Sequence, residues 1–497
     1  MLKKNIGYTR RNASFNFKLV ARLQGGLLML ESLFFLLCIA MAVYYGEETS
    51  LSFCLSFAVS VILGVVGLLL GRGASTMIGK REGSVIVTGT WVIFSFIGLL
   101  PYWVSGYIPS FTDAFFETMS GFTTTGATIL SDIEVIPRSL LFWRSLTHWM
   151  GGLGIVVITM AILPIFGFNG SQIYTAEVTG LSKEKLHPKV SGTAKRLFMI
   201  YLVMSFSGIV ALWLAGMSPF DAVNHALSTV STGGFSTKNT SIAYWHSPAI
   251  EWIIIVLMTG SAINLSLYYF LAVGNFRRFF KDEEMRTLIA IIVSTAAIIV
   301  FTQLIFWGFP LEDIGENVRG ALFTVSSLIS TTGFYSVDYS GWISVAYMLL
   351  LLTFVGGSAG STSGGVKVIR VLLVFKYCYY EFKRMIHPHA VFPVRYNGRA
   401  VKEEYITRML AFILLYVILS LFGAMILCIS GLGFEESISS MVSCLGNVGP
   451  GLGHLGPLDN YQSLPAFAKW FMSFAMLVGR LEIFTVLLIF TPNFWKR

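Results

Sequence analysis

Thr124-Thr125-Gly126-Ala127-Thr128 is the first of four short stretches in which a glycine, flanked by hydroxyl-bearing or small residues, lies between membrane-length hydrophobic segments. The others are Ser231-Thr232-Gly233-Gly234-Phe235, Ser330-Thr331-Thr332-Gly333-Phe334 and Asn447-Val448-Gly449-Pro450-Gly451. With Gly126, Gly233, Gly333 and Gly449 taken as equivalent, the spacings are 107, 100 and 116 residues, so the chain reads as four similar units. Irregular backbone at membrane depth is tolerated only where protein buries it or a water-filled space receives its carbonyls. Rings of such carbonyls replace the hydration shell of a cation. Four loops of this kind at a near-constant period predict one ion-conducting pore folded from one polypeptide.

The composition agrees with a bilayer environment. The chain has 497 residues, 55% hydrophobic and only 12% charged, with a mean hydropathy of +0.72. A soluble fold would leave too much apolar surface without a core, so the class is integral membrane protein. The first hydrophobic stretch, Gly25–Tyr45, exceeds the apolar core of a secretory signal and is read as a retained helix. Cys38, Cys54, Cys378, Cys428 and Cys444 lie in or beside apolar runs without metal-like spacing, which excludes a disulfide framework. The net charge of +9 needs no nucleic acid partner. Its basic residues gather at the termini and in alternate loops (Lys3, Lys4, Arg10, Arg11; Arg72, Lys80, Arg81; Lys183 to Arg196; Arg277, Arg278, Lys281; Lys383, Arg384, Arg395, Arg399, Lys402; Lys496, Arg497), the bias that marks a cytoplasmic side.

Ten crossings are expected: Gly25–Tyr45, Leu51–Leu70, Val85–Val104, Leu140–Ile165, Leu197–Ala215, Ile250–Val273, Leu288–Trp307, Trp342–Tyr380 with an interruption, Met409–Ser430 and Ala466–Phe490. Both termini then face the cytoplasm. The predicted fold class is an all-α integral membrane protein, with two N-terminal helices plus four tandem helix–pore loop–helix repeats around a pseudo-fourfold pore. The divisions are a two-helix extension over 1–80 and repeats over 81–195, 196–286, 287–400 and 401–497. Each repeat crosses twice, so all four share one orientation, whereas inverted repeats would need an odd number of crossings.

A half-length helix is expected before each loop, over Asp113–Thr123, Asp221–Val230, Glu316–Ile329 and Glu435–Ser443. The carboxylates Asp113, Asp221 and Glu435, with Glu316 nearby, suit helix N-termini, so the partly negative C-terminal ends point at the loops and favour cations. Each glycine supplies a positive φ at little cost, and the neighbouring hydroxyls supply oxygens and local hydrogen bonds.

Gly356-Gly357-Ser358-Ala359-Gly360-Ser361-Thr362-Ser363-Gly364-Gly365 falls inside the span after the third loop. Ten small residues with five glycines cannot sustain a helix, so the span must break at membrane depth, either as a plug below the filter or as a kink for close helix packing. Lys367 is misplaced for a phosphate-binding loop. Arg480, in the last span, is costly in lipid and must face protein or water. It is either structural glue with Glu482 or another acid, or a barrier near the gate. Arg144 and His148 read as structural or interfacial, Glu31 as a buried acid, and His387-Pro388-His389 as a solvated turn. The chain carries no nucleophile–base–acid constellation and no nucleotide-binding fingerprint, so enzyme function has no support in it.

These motifs, together with Gly360-Ser361-Thr362-Ser363-Gly364-Gly365-Val366-Lys367 and Gly479-Arg480-Leu481-Glu482-Ile483-Phe484, resemble the Trk/Ktr/HKT superfamily of potassium transporters over nearly the whole length. Within it the chain is similar to the TrkH-type membrane subunit with two extra N-terminal helices. Val448, Gly449 and Gly451 also match the second, third and fifth places of the Thr-Val-Gly-Tyr-Gly filter of potassium channels. The resemblance implies a potassium importer of a bacterial inner membrane, uniporter-like or cation-coupled, embedded in membrane lipid as a homodimer with one pore per subunit. It implies regulation by a cytosolic ring of nucleotide-binding subunits. Thr124, Thr125, Gly126, Ser231, Thr232, Gly233, Thr331, Thr332, Gly333, Asn447, Val448 and Gly449 would form the potassium filter. Gly356, Gly357, Gly360, Ser361, Thr362, Gly364 and Gly365 would form the gating loop, with Arg480 beside it. A serine at the first filter glycine accompanies sodium transport in the superfamily, so Gly126 argues for potassium. Cys444-Leu445-Gly446 departs from the polar sequence usual before the fourth filter. The alternative is a cation-coupled secondary transporter with an alternating-access midplane site.

Overall fold

A computed structural model describes residues 15–74, 79–152, 154, 190–306 and 310–496. The expected basic cluster at Lys3 to Arg11, the first half of the Lys183 to Arg196 loop and the second half of the Leu140–Ile165 span lie outside the described residues.

Two helices, Phe17–Tyr45 and Ser50–Leu70, open the chain and pack face to face. Small residues let their backbones meet: a methyl group added to Gly25 would lie 2.6 Å from the Gly64 carbonyl oxygen. Four similar successions follow, each a long helix, a half-length helix, a loop and a returning helix. The half-length helices are Phe111–Phe122, Pro219–Val230, Ile314–Ile329 and Phe434–Gly446. They begin slightly earlier than their acids suggest. Ser110 and Ser218 are the N-caps, accepting from the Asp113 and Asp221 amides at 3.3 and 3.1 Å, so each acid sits in the third helical position of a capping-box-like start.

Six described helices are long and apolar enough to cross a membrane. Two bent pairs bring the number to eight: Pro248–Ala262 with Leu265–Ala272, turned by 101°, and Ala466–Arg480 with Phe484–Phe490, turned by 110°. The other two expected crossings correspond to Arg138–Gly152, and to Ala346–Val355 followed after the glycine stretch by Val368–Ile386. The break expected in the third returning helix is present, but the second and fourth break as well, which their sequences do not announce. Leu51, Phe206, Phe301 and Leu421 are exposed on outer faces, as a lipid-facing surface requires. The strands among the described residues are the pair Arg395–Tyr396 and Arg399–Ala400, a small hairpin in the basic 387–402 segment, where His387 and His389 are exposed.

Candidate functional site

All four half-length helices end in the same way. Within two residues of the last helical one the chain adopts a left-handed conformation, with φ of 54° at Thr124, 55° at Thr232, 59° at Thr331 and 55° at Asn447. The next amide turns back to a serine carbonyl: Thr125 to Ser120, Gly233 to Ser228, Thr332 to Ser327 and Val448 to Ser443, each at 2.9 Å. This is the Schellman closure, which satisfies carbonyls that a helix end leaves free. Glycine normally occupies its left-handed position; a β-branched threonine there is a backbone outlier held by its surroundings.

Two residues further on, φ is again positive, at 80° for Gly126, 88° for Gly234, 82° for Gly333 and 107° for Gly449. The second loop is therefore shifted by one place from the sequence reading. Gly234 is the equivalent of Gly126, and Gly233 takes the place of Thr125, Thr332 and Val448. Gly233 is needed for a separate reason: a side chain there would collide with the ring of His148, which stacks on Phe235 at 4.0 Å and contacts the Ser228 hydroxyl through Nδ1 at 3.0 Å.

The four loops close into a circle. A methyl on Gly126 would strike the Gly233 carbonyl oxygen, one on Gly234 that of Thr332, and one on Gly333 that of Val448, while one on Gly449 would come within 2.6 Å of that of Thr125. The contacts thus run first to second, second to third, third to fourth and fourth to first. Among the described residues, no hydrogen bond reaches these four carbonyl oxygens. Buried carbonyls without partners are rare, and four in one ring form a set of oxygens suited to a cation. A cavity of about 120 Å³ lies against the loops, lined by Gly126, Gly234, Gly333 and Gly449 together with Asp459 and Tyr461.

The stretch between Val355 and Val368 folds as a closed loop next to this ring. Its neck is pinned by the Val366 amide on the Phe354 carbonyl at 3.1 Å and the Lys367 amide on the Val355 carbonyl at 2.8 Å. Gly356, Gly360 and Gly365 all take positive φ, and Gly357 accepts from the Val368 amide at 2.9 Å. The Gly364 amide donates to the Thr331 hydroxyl at 2.7 Å, and the Thr362 hydroxyl donates to the Val230 carbonyl at 3.1 Å. Gly364 passes so close to Gly446 that a side chain would not fit. Ser361 shares a 2.6 Å hydroxyl contact with Ser363. The loop therefore touches the ends of the second, third and fourth half-length helices.

The same loop accounts for the bend in the second returning helix. At its break the Ala262 carbonyl accepts from the Ser358 amide at 2.9 Å, and the Leu265 amide donates to the Gly360 carbonyl at 3.0 Å. Groups freed by the bend are thus satisfied by the loop. Arg480, at the fourth break, donates to the Thr362 carbonyl at 2.7 Å and to the last carbonyls of the first returning helix, Gly151 at 2.6 Å and Gly152 at 2.9 Å. Glu482 pairs with Arg370 at 2.5 Å. Arg480 is therefore attached to the loop itself.

Of the two readings of Arg144, structural or interfacial, the structural one holds. Its guanidinium, 1% exposed, meets Glu117 at 2.8 Å, donates to the Ser236 carbonyl and the Thr128 hydroxyl at 3.2 Å each, and lies 4.0 Å over Phe235. It braces the exits of the first and second loops. The sequence signal was Glu117, a second acid well inside the half-helix and past the first-turn Asp113, which needs a cation once buried.

Residues 49–497 match the family described as TrkH, cation transport protein. The chain is 36% identical over 487 residues to the Trk system potassium uptake protein TrkH of Salmonella typhimurium, covering 97% of this chain and all of the relative. It is 32% identical over 483 residues to the Trk system potassium uptake protein TrkG of Escherichia coli, covering 96% and 99%. The crystal structure of the potassium transporter TrkH from Vibrio parahaemolyticus is similar with a TM-score of 0.87 and 34% identity, covering 97% of this chain and 100% of that one.

Proposed function

Because the chain belongs to the TrkH family of potassium uptake transporters, and is thus a multi-pass membrane transporter and not an enzyme, we propose that it passes potassium through one axial pore made by its four repeats. The observation that carries this reading is the ring of carbonyl oxygens of Thr125, Gly233, Thr332 and Val448, which accept no hydrogen bond from described residues. Four half-helix C-termini end at that ring, and their partial negative charge favours a cation. The filter comprises the left-handed Thr124, Thr232, Thr331 and Asn447, the carbonyl-bearing residues after them, and Gly126, Gly234, Gly333 and Gly449, with Ser231 at the end of the second half-helix. The 356–365 loop is the gate, and Arg480 is the clasp that holds it shut.

The setting we infer is a bacterial inner membrane with both termini cytoplasmic, the side on which the basic segments Arg277 to Lys281 and Lys383 to Lys402 lie. A homodimer with a cytosolic nucleotide-binding regulatory ring completes the assembly. A second reading, alternating access at a midplane site, draws on the returning helices bent by 101° and 110°, since discontinuous helices build such sites.

Rubidium uptake into proteoliposomes containing this chain alone, with sodium as competitor, tests the proposal. Saturable flux in strict stoichiometry with a second ion, and no unitary currents in a planar bilayer, would favour the second reading. Selectivity gives a sharper test. At Gly126, with φ of 80°, a serine side chain must displace the Gly233 carbonyl. Gly126→Ser is expected to lower the rubidium-to-sodium permeation ratio several-fold, because a distorted ring loses the larger, fully coordinated ion first. An unaltered ratio removes Gly126 from the filter.

A further inference from the structure

The start of helix Glu283–Phe306 holds an arrangement that the pore and Arg480 do not use. Glu284 is 2% exposed, and a single carboxylate oxygen, Oε1, accepts two backbone amides: Ala359 in the gating loop at 2.7 Å and Ile369 at the head of the next helix at 3.2 Å. One side chain therefore holds both the loop and the helix into which it runs. A carboxyl oxygen carries two lone pairs and can accept two such bonds at once, so this one atom pins both segments.

The two residues before Glu284 are gripped from the other direction. Asp282 caps its helix by accepting the Met285 amide at 3.0 Å, and its second oxygen accepts from Asn397 Nδ2 at 2.8 Å and the Tyr396 hydroxyl at 3.3 Å. The Glu283 amide donates to Asn397 Oδ1 at 2.9 Å. Lys376 joins the Glu283 carboxylate at 2.5 Å and donates to the Arg395 carbonyl at 3.0 Å. Tyr396 and Asn397 belong to the Arg395–Ala400 hairpin, whose turn residues Asn397 and Gly398 take φ of 47° and 77°. Positive φ at both central residues defines the tight turn that Asn-Gly favours, which makes the hairpin a stiff unit.

Packing supplies a second, independent link. Ala359 and Ile369 share one small apolar cluster with Val394 of the hairpin segment, Leu373, Ile406 and Met409, separate from the larger cores. Tyr396 of the hairpin packs against the same cluster, which thus joins the hairpin segment to the two residues that Glu284 holds, Ala359 in the loop and Ile369 in the helix after it.

We propose that the Arg395–Ala400 hairpin is a cytoplasmic handle on the intramembrane loop, and that Glu284 is the positioning residue through which it acts. This rests on the reading of residues 356–365 as a gate. With the hairpin seated, Asn397 and Tyr396 fix Asp282 and the first helical turn, which fixes Glu284 and so holds Ala359. When the hairpin is drawn away, that turn loses its outer support and Glu284 releases Ala359. The two anchors grip the loop at different points. Arg480 holds Thr362 from the fourth returning helix, and Glu284 holds Ala359 from the cytoplasmic end of the third long helix.

The test uses the full chain in proteoliposomes with no other protein, comparing rubidium uptake by the parent, a variant shortened within Gly356–Gly365, Glu284→Ala, Glu284→Gln, Asn397→Ala and the double variant Glu284→Ala with Asn397→Ala. Glu284→Ala is expected to raise uptake several-fold toward the shortened-loop level. Glu284→Gln, which keeps an amide oxygen as acceptor, should rise less, and Asn397→Ala should rise about twofold. The double variant should match Glu284→Ala alone, since both act along one path. The rubidium-to-sodium ratio should stay constant throughout, because no filter residue changes, whereas general loosening of the protein would shift it. If the shortened loop raises uptake but Glu284→Ala and Asn397→Ala behave as the parent, the handle is wrong and the gate stands. If the shortened loop leaves uptake unchanged, the gate and the handle fall together. Should Glu284→Ala not yield folded protein, Asn397→Ala decides alone, since its side chain is on an exposed hairpin turn.

Discussion

Arg480→Ala in the otherwise intact chain is expected to raise regulator-free rubidium uptake by about tenfold or more, with the protein still folded. The guanidinium joins three carbonyls, of Thr362 in the loop and of Gly151 and Gly152 at the end of the first returning helix. Hydrogen bonds to a charged group contribute about 1.5–3 kcal/mol each, and about 1.4 kcal/mol is a factor of ten in an equilibrium. Losing the Thr362 bond alone shifts the balance between seated and displaced loop by about that factor. The loop retains Thr331 through Gly364 and Glu284 through Ala359, so Arg480→Ala should fall short of a variant in which the loop is shortened. Arg480→Lys should lie between parent and alanine, because a compact ammonium cannot span the same carbonyls as a planar fork. Equal uptake by parent and Arg480→Ala, at equal amounts of folded protein, would remove Arg480 from the gate and leave it a purely structural residue.

The sequence carries the local half of this site and hides the relational half. The four glycine loops were legible because positive φ and a Schellman end have local costs that select residue types, and the broken third span was legible because ten consecutive small residues forbid a helix. The register of the second loop was not. Two adjacent glycines, Gly233 and Gly234, satisfy the local pattern equally, and only the packing of His148 against Gly233 separates them. Nor were the breaks after Ala262 and Arg480 visible, since the groups they free are satisfied by Ser358 and Gly360 in one case and sit beside Arg480's own bonds to distant segments in the other. A break supported by partners far along the chain leaves no signature at the break. Glu284 belongs to the same class. It ends an acidic triplet, and its role depends on Ala359 and Ile369, far along the chain, donating to it.

Arg144→Ala is expected to destabilise the protein by about 3–5 kcal/mol, the range for removing one partner of a buried ion pair. The side chains of Arg144 and Glu117 are 1% and 0% exposed. Glu117 also accepts the Ile129 amide and the Thr128 hydroxyl, each at 3.0 Å. Those contacts remain in the variant, but the carboxylate loses its counter-charge in a place water does not reach. Most of the loss is therefore the cost of a stranded charge, which predicts a rescue. Arg144→Met combined with Glu117→Gln removes both charges at similar volume and should recover well over half of the loss, measured as the unfolding midpoint in detergent. The two changes are coupled and will not add. If the double variant is as unstable as Arg144→Ala, the guanidinium acts mainly through its bonds to Ser236 and Thr128 and its stacking on Phe235, and the ion pair is secondary. Transport then separates stability from function. Among the described residues Arg144 ties the exits of the first and second loops and not those of the third and fourth, so a rescued double variant should fold yet carry a loosened ring on the side where Gly126 meets Gly233. Its rubidium-to-sodium ratio should fall even where its stability returns, and a folded double variant with parental selectivity would show that the ring holds its shape without this brace.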